Sequence, residues 1–367
     1  MTVLPGRAGA PAVGFAVAPR EAAGRSHLAA QTGTREHIAA FDVLRSIAAA
    51  AVIVIHVLRP YRDQLGEIPD AQWMTAVTLN GLSRWAVPVF IMITGALMLS
   101  DPRAFSVGYY LRHRLTKVLI PFVAWSLLFA VLAGVSQTGY DATVTTSRLA
   151  ELPTHETYYH LGFFYYFIPL YLLIPMLMLL VNSGQTATVI ATTGAWLALT
   201  TFYLFHAEGV LGIDLVMYGG YLLLGYILLV YRPSRIAMLG LLALVGVAIT
   251  DSIVISESLD AGTYRVGRWF SYKTVNTVVL AAFVFVGVVA YAHHLSARAL
   301  AVFEFVGKHS LGIYLIHPLF LWPVEQFELY RGHPLLMIPI WASMCGGLAL
   351  ITSWWLRRYR VSAWLVP

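Results

Sequence analysis

The chain has 367 residues, of which 59% are hydrophobic and only 11% are charged, and its net charge is +6. Soluble domains average about 25% charged residues, so this composition excludes an ordinary soluble protein and predicts an integral membrane protein in contact with lipid. The positive charges are spread over the loops, so the net charge predicts no nucleic-acid partner.

Residues 1–36 are rich in Ala, Gly, Pro and Arg and contain no long apolar stretch. The run VGFAVA is too short for the core of a signal peptide. We predict that residues 1–36 form a disordered cytoplasmic arm and that residues 37–367 form a single membrane domain. The single Cys345 lies in an apolar run and excludes an intramolecular disulfide framework.

Ten apolar segments follow the arm, each long enough for a membrane-spanning helix. They lie near residues 38–58, 76–99, 117–136, 163–182, 187–205, 211–231, 236–255, 274–292, 309–326 and 335–356. With the N-terminus inside, the cytoplasmic loops carry about twice as many Lys and Arg as the outer loops, in keeping with the positive-inside rule. The sequence predicts an all-α polytopic membrane protein of about ten transmembrane helices, with both termini in the cytoplasm.

The first segment, FDVLRSIAAAAVIVIHVL at 41–58, is almost wholly apolar except for Asp42, Arg45, Ser46 and His56. Eleven helical steps of about 100° end about 20° past three full turns, so Arg45 and His56 share one face about 16 Å apart. Ionisable residues at membrane depth usually face a protein interior or a water-filled cavity. The pair therefore predicts a polar track along this helix.

Each residue of this track has two interpretations. Asp42 precedes Arg45 by three residues, so the two can pair across one turn while Arg45 reaches the membrane interface. Alternatively, Arg45, with Asp42 beside it, binds an anionic cytosolic ligand. His56 is either a satisfied interior donor or a catalytic residue.

Arg84 lies in the second segment, in SRWAVPVFIMITGALML at 83–99. It either forms a structural ion pair or orients a carbonyl or an anionic acceptor. Pro88 and Gly95 in the same segment predict a kink or a close helix contact.

Arg112, His113, Arg114 and Lys117 form a basic cluster at the start of the third segment. Such a cluster usually sets the topology and meets anionic lipid. It can also hold the phosphates of a nucleotide-like cofactor, with Arg112, Arg114 and Lys117 as the contacts.

Two later motifs carry further candidates. The aromatic residues of YYHLGFFYYFIPLYLLIP at 158–175 predict an interfacial belt, in which His160 can line an outer mouth. His155 and His160 lack further ligands, so no metal site is predicted. In GKHSLGIYLIHPLFL at 307–321, Ser310, Tyr314 and His317 share one helix face. They form either a pocket lining that hydrogen-bonds a substrate or a polar stripe that joins helices.

With these residues in place, the chain resembles the acyltransferase-3 family of integral membrane acyltransferases over residues 37–356. It is most similar to the short, membrane-only branch that includes surface-polysaccharide O-acetyltransferases. The resemblance is carried, in order, by the segments 41–56, 83–99, 110–125, 160–175 and 309–320. An Arg and a His with ten residues between them in the first span are the family's signature, here Arg45 and His56.

The resemblance implies transfer of an acyl group, usually acetyl, from cytosolic acetyl-CoA or another acyl-CoA at the bacterial cytoplasmic membrane. The acceptor is expected on the outer side, as an envelope glycan or a lipid-linked sugar. The family makes the histidine catalytic and links the arginine to the CoA donor. Gly162 stands where the fourth-span motif often has Trp, which predicts a wider acceptor mouth. The extracytoplasmic domain of many relatives is not predicted here, so the acceptor is expected to meet the membrane core directly.

The spacing suits this chemistry, because a pantetheine arm of order 15–20 Å is comparable with the helical rise from Arg45 to His56. Neutral His56 is expected to take the proton of an acceptor hydroxyl, and Arg84 to stabilise the oxyanion. An acyl-histidine intermediate is the rival mechanism.

Two other functions remain open on the sequence. One is acyl transfer with a succinyl donor or an amine acceptor. The other is a polysaccharide or lipid exporter, which needs no CoA.

Overall fold

A computed structural model of the protein describes residues 39–101, 103, 105–206 and 213–367. The predicted arm at residues 1–36 lies outside these residues. The α-helices of the described part are α1 (Ala39–Val57), α2 (Arg59–Arg62), α3 (Asp70–Ser83), α4 (Ala86–Leu99), α5 (Val107–Tyr110), α6 (Thr116–Ala133), α7 (Ala142–Glu151), α8 (Gly162–Asn182), α9 (Thr186–His206), α10 (Ile213–Tyr231), α11 (Ile236–Ala261), α12 (Val275–Tyr291), α13 (Ala297–Lys308), α14 (Ser310–Gln326) and α15 (Pro334–Arg358).

The other regular segments are short. A π-helical turn, Leu111–Leu115, joins α5 to α6, and 3-10 turns occupy Tyr159–Leu161, Ala292–His294 and Ala363–Leu365. Strands β1 (Val135–Ser136) and β2 (Gly139–Tyr140) pair antiparallel, with Val135 opposite Tyr140.

The described residues contain nine helices that are long and apolar enough to cross a membrane, or ten if the pair α13 and α14 forms one span. That pair is bent by 69°. The prediction of an all-α polytopic membrane protein with about ten spans is therefore confirmed.

Helix α1 lies near the centre of the protein. Its most apolar window is 67% buried inside the protein, against 17% for α15, which leaves most of its surface to lipid. Small residues allow the burial of α1, because Ala48 and Ala49 let neighbouring helices approach closely and are themselves almost fully buried. The polar residues of α1 are consequently held inside the protein, where the cost of their burial can be met by partners.

The second span is interrupted between α3 and α4, at Arg84 and Trp85. Pro88 explains the interruption, since its ring clashes with the carbonyl four residues earlier, at Arg84, and supplies no amide hydrogen to it. The break holds Arg84 at a helix junction within the membrane domain.

Reciprocal glycines bring α4 and α10 into backbone contact. A Cβ atom at Gly95 would collide with the backbone of Leu222, and one at Gly225 would collide with the backbone of Met92. Van der Waals packing of small residues is a main source of helix association in membranes. This contact fixes α4, which begins two residues after Arg84, against α10.

Helix α14 carries three of the predicted site residues on its buried face. Ser310 and Tyr314 are each 7% exposed, and His317 is fully buried. Pro318 within α14 removes one amide donor, which leaves the carbonyl of Tyr314 without its helical partner. Helix α14 thus presents three polar side chains and one free carbonyl to the interior.

We expect Gly95→Ala and Gly225→Ala to destabilise the protein by about 1–3 kcal/mol each, because the added methyl groups overpack a backbone contact. Thermal unfolding in detergent measures the effect. Gly287→Ala in α12 is the matched control, since a Cβ there meets nothing within 4 Å. Equal unfolding temperatures for all three variants would contradict the proposed contact.

Candidate active site

A hydrogen-bonded histidine pair joins α1 to α14. Nδ1 of His56 lies 2.7 Å from Nε2 of His317, and the two rings are within 5° of parallel. His317 is fully buried, whereas His56 remains partly exposed. The residue that the sequence marked as catalytic therefore has a protein partner on one nitrogen and access to space around it.

The hydrogen bonds around the pair define where the protons lie. Nδ1 of His317 is 3.0 Å from the carbonyl oxygen of Ile313, which can only accept, so this nitrogen carries the hydrogen. With neutral rings, Nε2 of His317 is then an acceptor, and Nδ1 of His56 must donate to it. The lone pair of His56 is left on Nε2, which is the arrangement that a general base requires.

Aromatic residues enclose the pair. The ring of Tyr159 meets His56 edge to face, with the centroids 4.9 Å apart. His160 lies 5.9 Å from His317 and 4.6 Å from Phe129, by ring centroids. The hydroxyl of Tyr314 donates to the carbonyl oxygen of His160. The three predicted residues His160, Tyr314 and His317 are thus brought together around His56.

Two of the polar groups nearest the pair lack protein partners. The hydroxyl of Tyr159 is buried without a hydrogen bond. Neither ring nitrogen of His160 has a partner of good hydrogen-bond geometry, although the Leu315 carbonyl is close enough to influence the ring. Buried polar groups normally find partners, so unsatisfied ones indicate room for water or a ligand.

Arg45 lies at the opposite end of α1. It forms an ion pair of 3.1 Å with the buried carboxylate of Asp42, as expected from their spacing. Asp42 is only 5% exposed, so it is placed to hold Arg45 rather than to reach a ligand itself. The side chain of Arg45 remains 30% exposed.

A cavity of about 240 Å³, here called the Arg45 cavity, extends from this arginine into the bundle. Its lining includes Arg45, Arg114, Thr94, Ser310 and Tyr314. Tyr314 lies one helical turn from His317, with the two rings 6.1 Å apart. The cavity therefore leads from two cationic side chains to the neighbourhood of the histidine pair.

The basic cluster of the third segment is divided by the structure. Arg114 lines the Arg45 cavity, whereas Arg112 and Lys117 are exposed and lie outside its lining. Arg112 and Arg114 both lie in the π-helical turn Leu111–Leu115, whose wider turn gives side chains directions that differ from those of a regular α-helix.

An adjoining cavity of about 260 Å³ shares Met98 and Arg114 with the first. Arg103 lines it as well and donates hydrogen bonds to Asp101, which hold the pKa of that carboxyl below its usual range. Arg114 lies 3.6 Å from the same carboxylate. Two guanidinium groups therefore share one carboxylate, which leaves net positive charge at this end of the protein.

Arg84, for which the sequence left both a structural ion pair and an acceptor contact open, lies among aromatic residues in the structure. It donates a hydrogen bond of 3.3 Å to the hydroxyl of Tyr272, and its guanidinium lies over the rings of Phe270 and Tyr272. Its Nε is buried without a partner. The structure thus gives Arg84 an aromatic environment of its own, apart from the contacts that surround His56.

Sequence reasoning missed a second cavity beyond His56. This Arg59 cavity, of about 340 Å³, is lined by Arg59, Glu156, Tyr158, Tyr159 and Trp322, among others. Tyr159 is the same residue that contacts His56. Two signals were present in the sequence: Arg59 follows His56 by three residues, and Tyr159 immediately precedes His160.

The carboxyl group of Glu156 lies beside Gly162, where a wider acceptor mouth was predicted. A Cβ atom at Gly162 would lie 3.4 Å from the carboxyl carbon of Glu156, so the carboxylate occupies the space next to the glycine. The space that the absent side chain of Gly162 leaves is therefore bordered by the carboxylate of Glu156.

Within the described residues, no three His, Cys, Asp or Glu side chains are arranged to hold a metal ion.

In a comparison with protein-family models, residues 38–358 match the acyltransferase-3 model described as "Acyltransferase domain". Neither the curated proteins nor the solved structures gave a match.

We expect ¹⁵N NMR of histidine-labelled protein to show His56 with a protonated Nδ1 and an unprotonated Nε2. His317→Phe removes the acceptor, so His56 should lose this preference and show both tautomers. His155→Phe, at an exposed histidine, is the matched control and should leave the His56 signals unchanged. A wild-type His56 protonated on Nε2 alone would contradict the assignment.

Proposed function

Since the chain belongs to the acyltransferase-3 family and is thus a membrane acyltransferase, we propose that it acylates a hydroxyl of an envelope glycan or glycolipid. The donor in this proposal is cytosolic acetyl-CoA or another acyl-CoA. The acceptor lies on the outer side of the bacterial cytoplasmic membrane, and both termini of the chain lie in the cytoplasm.

One observation carries the proposal: two cavities of different chemistry are each lined by a tyrosine that contacts the histidine pair. The Arg45 cavity is largely apolar, with two guanidinium groups at its edge. The Arg59 cavity is polar and borders Tyr159, which contacts His56. A donor and an acceptor can therefore approach the same imidazole from opposite ends of α1.

The Arg45 cavity suits the donor. Arg45 and Arg114, with Arg103 in the adjoining cavity, supply the cationic groups that phosphates of CoA require. The apolar walls suit a pantetheine arm, and the rise of about 16 Å from Arg45 to His56 allows the thioester to reach the imidazole. Ser310 and Tyr314 would hydrogen-bond the arm on its way.

The proton positions support a direct transfer. Nε2 of His56 takes the proton of the acceptor hydroxyl while the oxygen attacks the thioester carbonyl carbon. A new C–O bond forms, the C–S bond breaks, and the departing CoA thiolate receives the proton from His56. His317 holds the His56 ring in place throughout, because it accepts the hydrogen on Nδ1.

Two groups are candidates for stabilising the oxyanion. Tyr159 lies against His56 and has a buried hydroxyl without a protein partner, so we favour it as the donor. Arg84, which was expected in this role, lies against Phe270 and Tyr272. Arg84 is better placed to hold the aromatic rings of Phe270 and Tyr272 in position.

We expect purified protein in detergent to bind acetyl-CoA, and Arg45→Ala and Arg114→Ala to weaken binding about tenfold each, since each removes one charge-assisted contact. Titration calorimetry measures the affinities, with succinyl-CoA as a second donor. Arg298→Ala, at an exposed arginine of α13, is the matched control. Absence of affinity for any acyl-CoA in the wild type would overturn the donor assignment.

We expect His56→Ala to reduce release of free CoA thiol at least about 100-fold, because the reaction loses its base. Acetyl-CoA binding in the same preparation verifies the fold, and His155→Ala is the histidine control. A His56→Ala variant that inserts normally and retains full activity would overturn the mechanism.

A further inference from the structure

The Arg59 cavity has features that indicate the kind of acceptor. Its volume of about 340 Å³ is at the lower end of the range for small-molecule sites. Unlike the Arg45 cavity, it is lined mainly by polar and charged groups together with three large aromatic rings. The residues that bear on its chemistry are Arg59, Glu156, Tyr158, Tyr159, Trp322 and Gln326.

Arg59 is the strongest of these features. Its guanidinium lies over the ring of Tyr159, with its central carbon 5.0 Å from the centroid. Among the described residues, no carboxylate lies within 4.0 Å of it, although Glu325 acts on it electrostatically from the buried side. The other arginine at this cavity, Arg148, is 3.9 Å from Glu151. Arg59 is therefore the cation with capacity for an incoming anion.

The aromatic residues supply flat surfaces beside that cation. Tyr158 is held by stacking on Phe129, with ring centroids 4.9 Å apart, and Trp322 is partly buried on α14. Rings of this kind present an apolar face while their surroundings stay wet, which suits the C–H face of a sugar whose hydroxyls need hydrogen bonds. Gln326 and Glu156 offer those hydrogen bonds from the same lining.

Buried polar groups without partners lie around the cavity as well. The hydroxyl of Tyr159 and Oε1 of Glu325 are both buried and make no hydrogen bond. Glu156, next to the absent side chain of Gly162, places a carboxylate where it can accept a hydrogen bond from a neutral hydroxyl. A neutral ligand would satisfy these acceptors but would leave Arg59 without an anion.

We propose that the Arg59 cavity binds the acceptor as a sugar residue that carries an anionic group, either a carboxylate or a phosphate. Arg59 binds the anion, Trp322 packs against the sugar ring, and Glu156 accepts a hydrogen bond from a hydroxyl. The reacting hydroxyl points past Tyr159 to Nε2 of His56. This inference rests on the proposed acyl transfer, in which the hydroxyl oxygen gains the acyl group and CoA leaves as the thiol.

The test uses the full chain in detergent and a panel of saccharides in saturation-transfer NMR. The panel contains methyl glucuronide, methyl galacturonide, glucose 1-phosphate and galactose 1-phosphate, with the methyl glucosides and galactosides as neutral counterparts. We expect at least one anionic member to bind at least about tenfold more tightly than its neutral counterpart. Whether the uronates or the sugar phosphates bind identifies the anion.

Variants assign the selectivity to residues. Arg59→Ala should reduce the affinity for the anionic sugar about tenfold and leave the affinity for the neutral sugar unchanged. Arg59→Lys should restore part of the affinity for the anionic sugar, since lysine returns the positive charge without the planar guanidinium group. Arg331→Ala removes an exposed arginine paired with Glu328 and is the matched control. Trp322→Ala should weaken anionic and neutral sugars alike, because it removes the surface that both share.

The inference is overturned if neutral sugars bind as tightly as anionic ones, if no member of the panel binds, or if Arg59→Ala affects both classes equally. Acetyl-CoA binding and His56-dependent thiol release, measured on the same preparations, separate this failure from that of the proposed function. If the protein binds acetyl-CoA and releases thiol through His56 but shows no preference for anionic sugars, the acyltransferase assignment stands and the acceptor inference fails. If acetyl-CoA binding and thiol release are both absent, the proposed function itself fails.

Discussion

The hydrogen bond between His56 and His317 is the interaction on which the rest of the site depends. Inside a membrane domain, an imidazole without a partner is costly, and the pair meets that cost by linking α1 to α14 across the protein interior. The Ile313 carbonyl, one turn back on α14, orients the chain of donors. The hydrogen bonds that satisfy these buried polar atoms also leave Nε2 of His56 with its lone pair.

Two cavities of different chemistry approach this pair, and the proposed function assigns one to the donor and the other to the acceptor. The Arg45 cavity, with apolar walls and cations at its edge, suits a long thioester with phosphates. The Arg59 cavity, with aromatic and charged walls, suits a hydroxylated acceptor. Tyr314 contacts His317 and Tyr159 contacts His56, so in the proposed reaction each substrate would approach the pair from its own cavity.

Local signals predicted the helices well and the details of their ends less well. The segment predicted at 236–255 is α11, which continues to Ala261 because a helix can extend through the polar run SESLDA after the apolar signal ends. Pro88 and Gly95 indicated a kink or close contact, and the structure contains both. The basic cluster could not be divided from the sequence, because the direction of Arg114 depends on the π-helical turn in which it lies.

The sequence by itself determined the membrane class, the approximate number of helices and the common face of Arg45 and His56. Each follows from hydrophobicity or helical period, which act between residues that are close along the chain. Only the tertiary structure decided that His317 bonds His56 from 261 residues away, that Arg84 faces Tyr272, and that Arg59 borders a second cavity. Such contacts depend on the rotation and depth of each helix, which are set by packing between distant segments such as the glycine contact of α4 and α10.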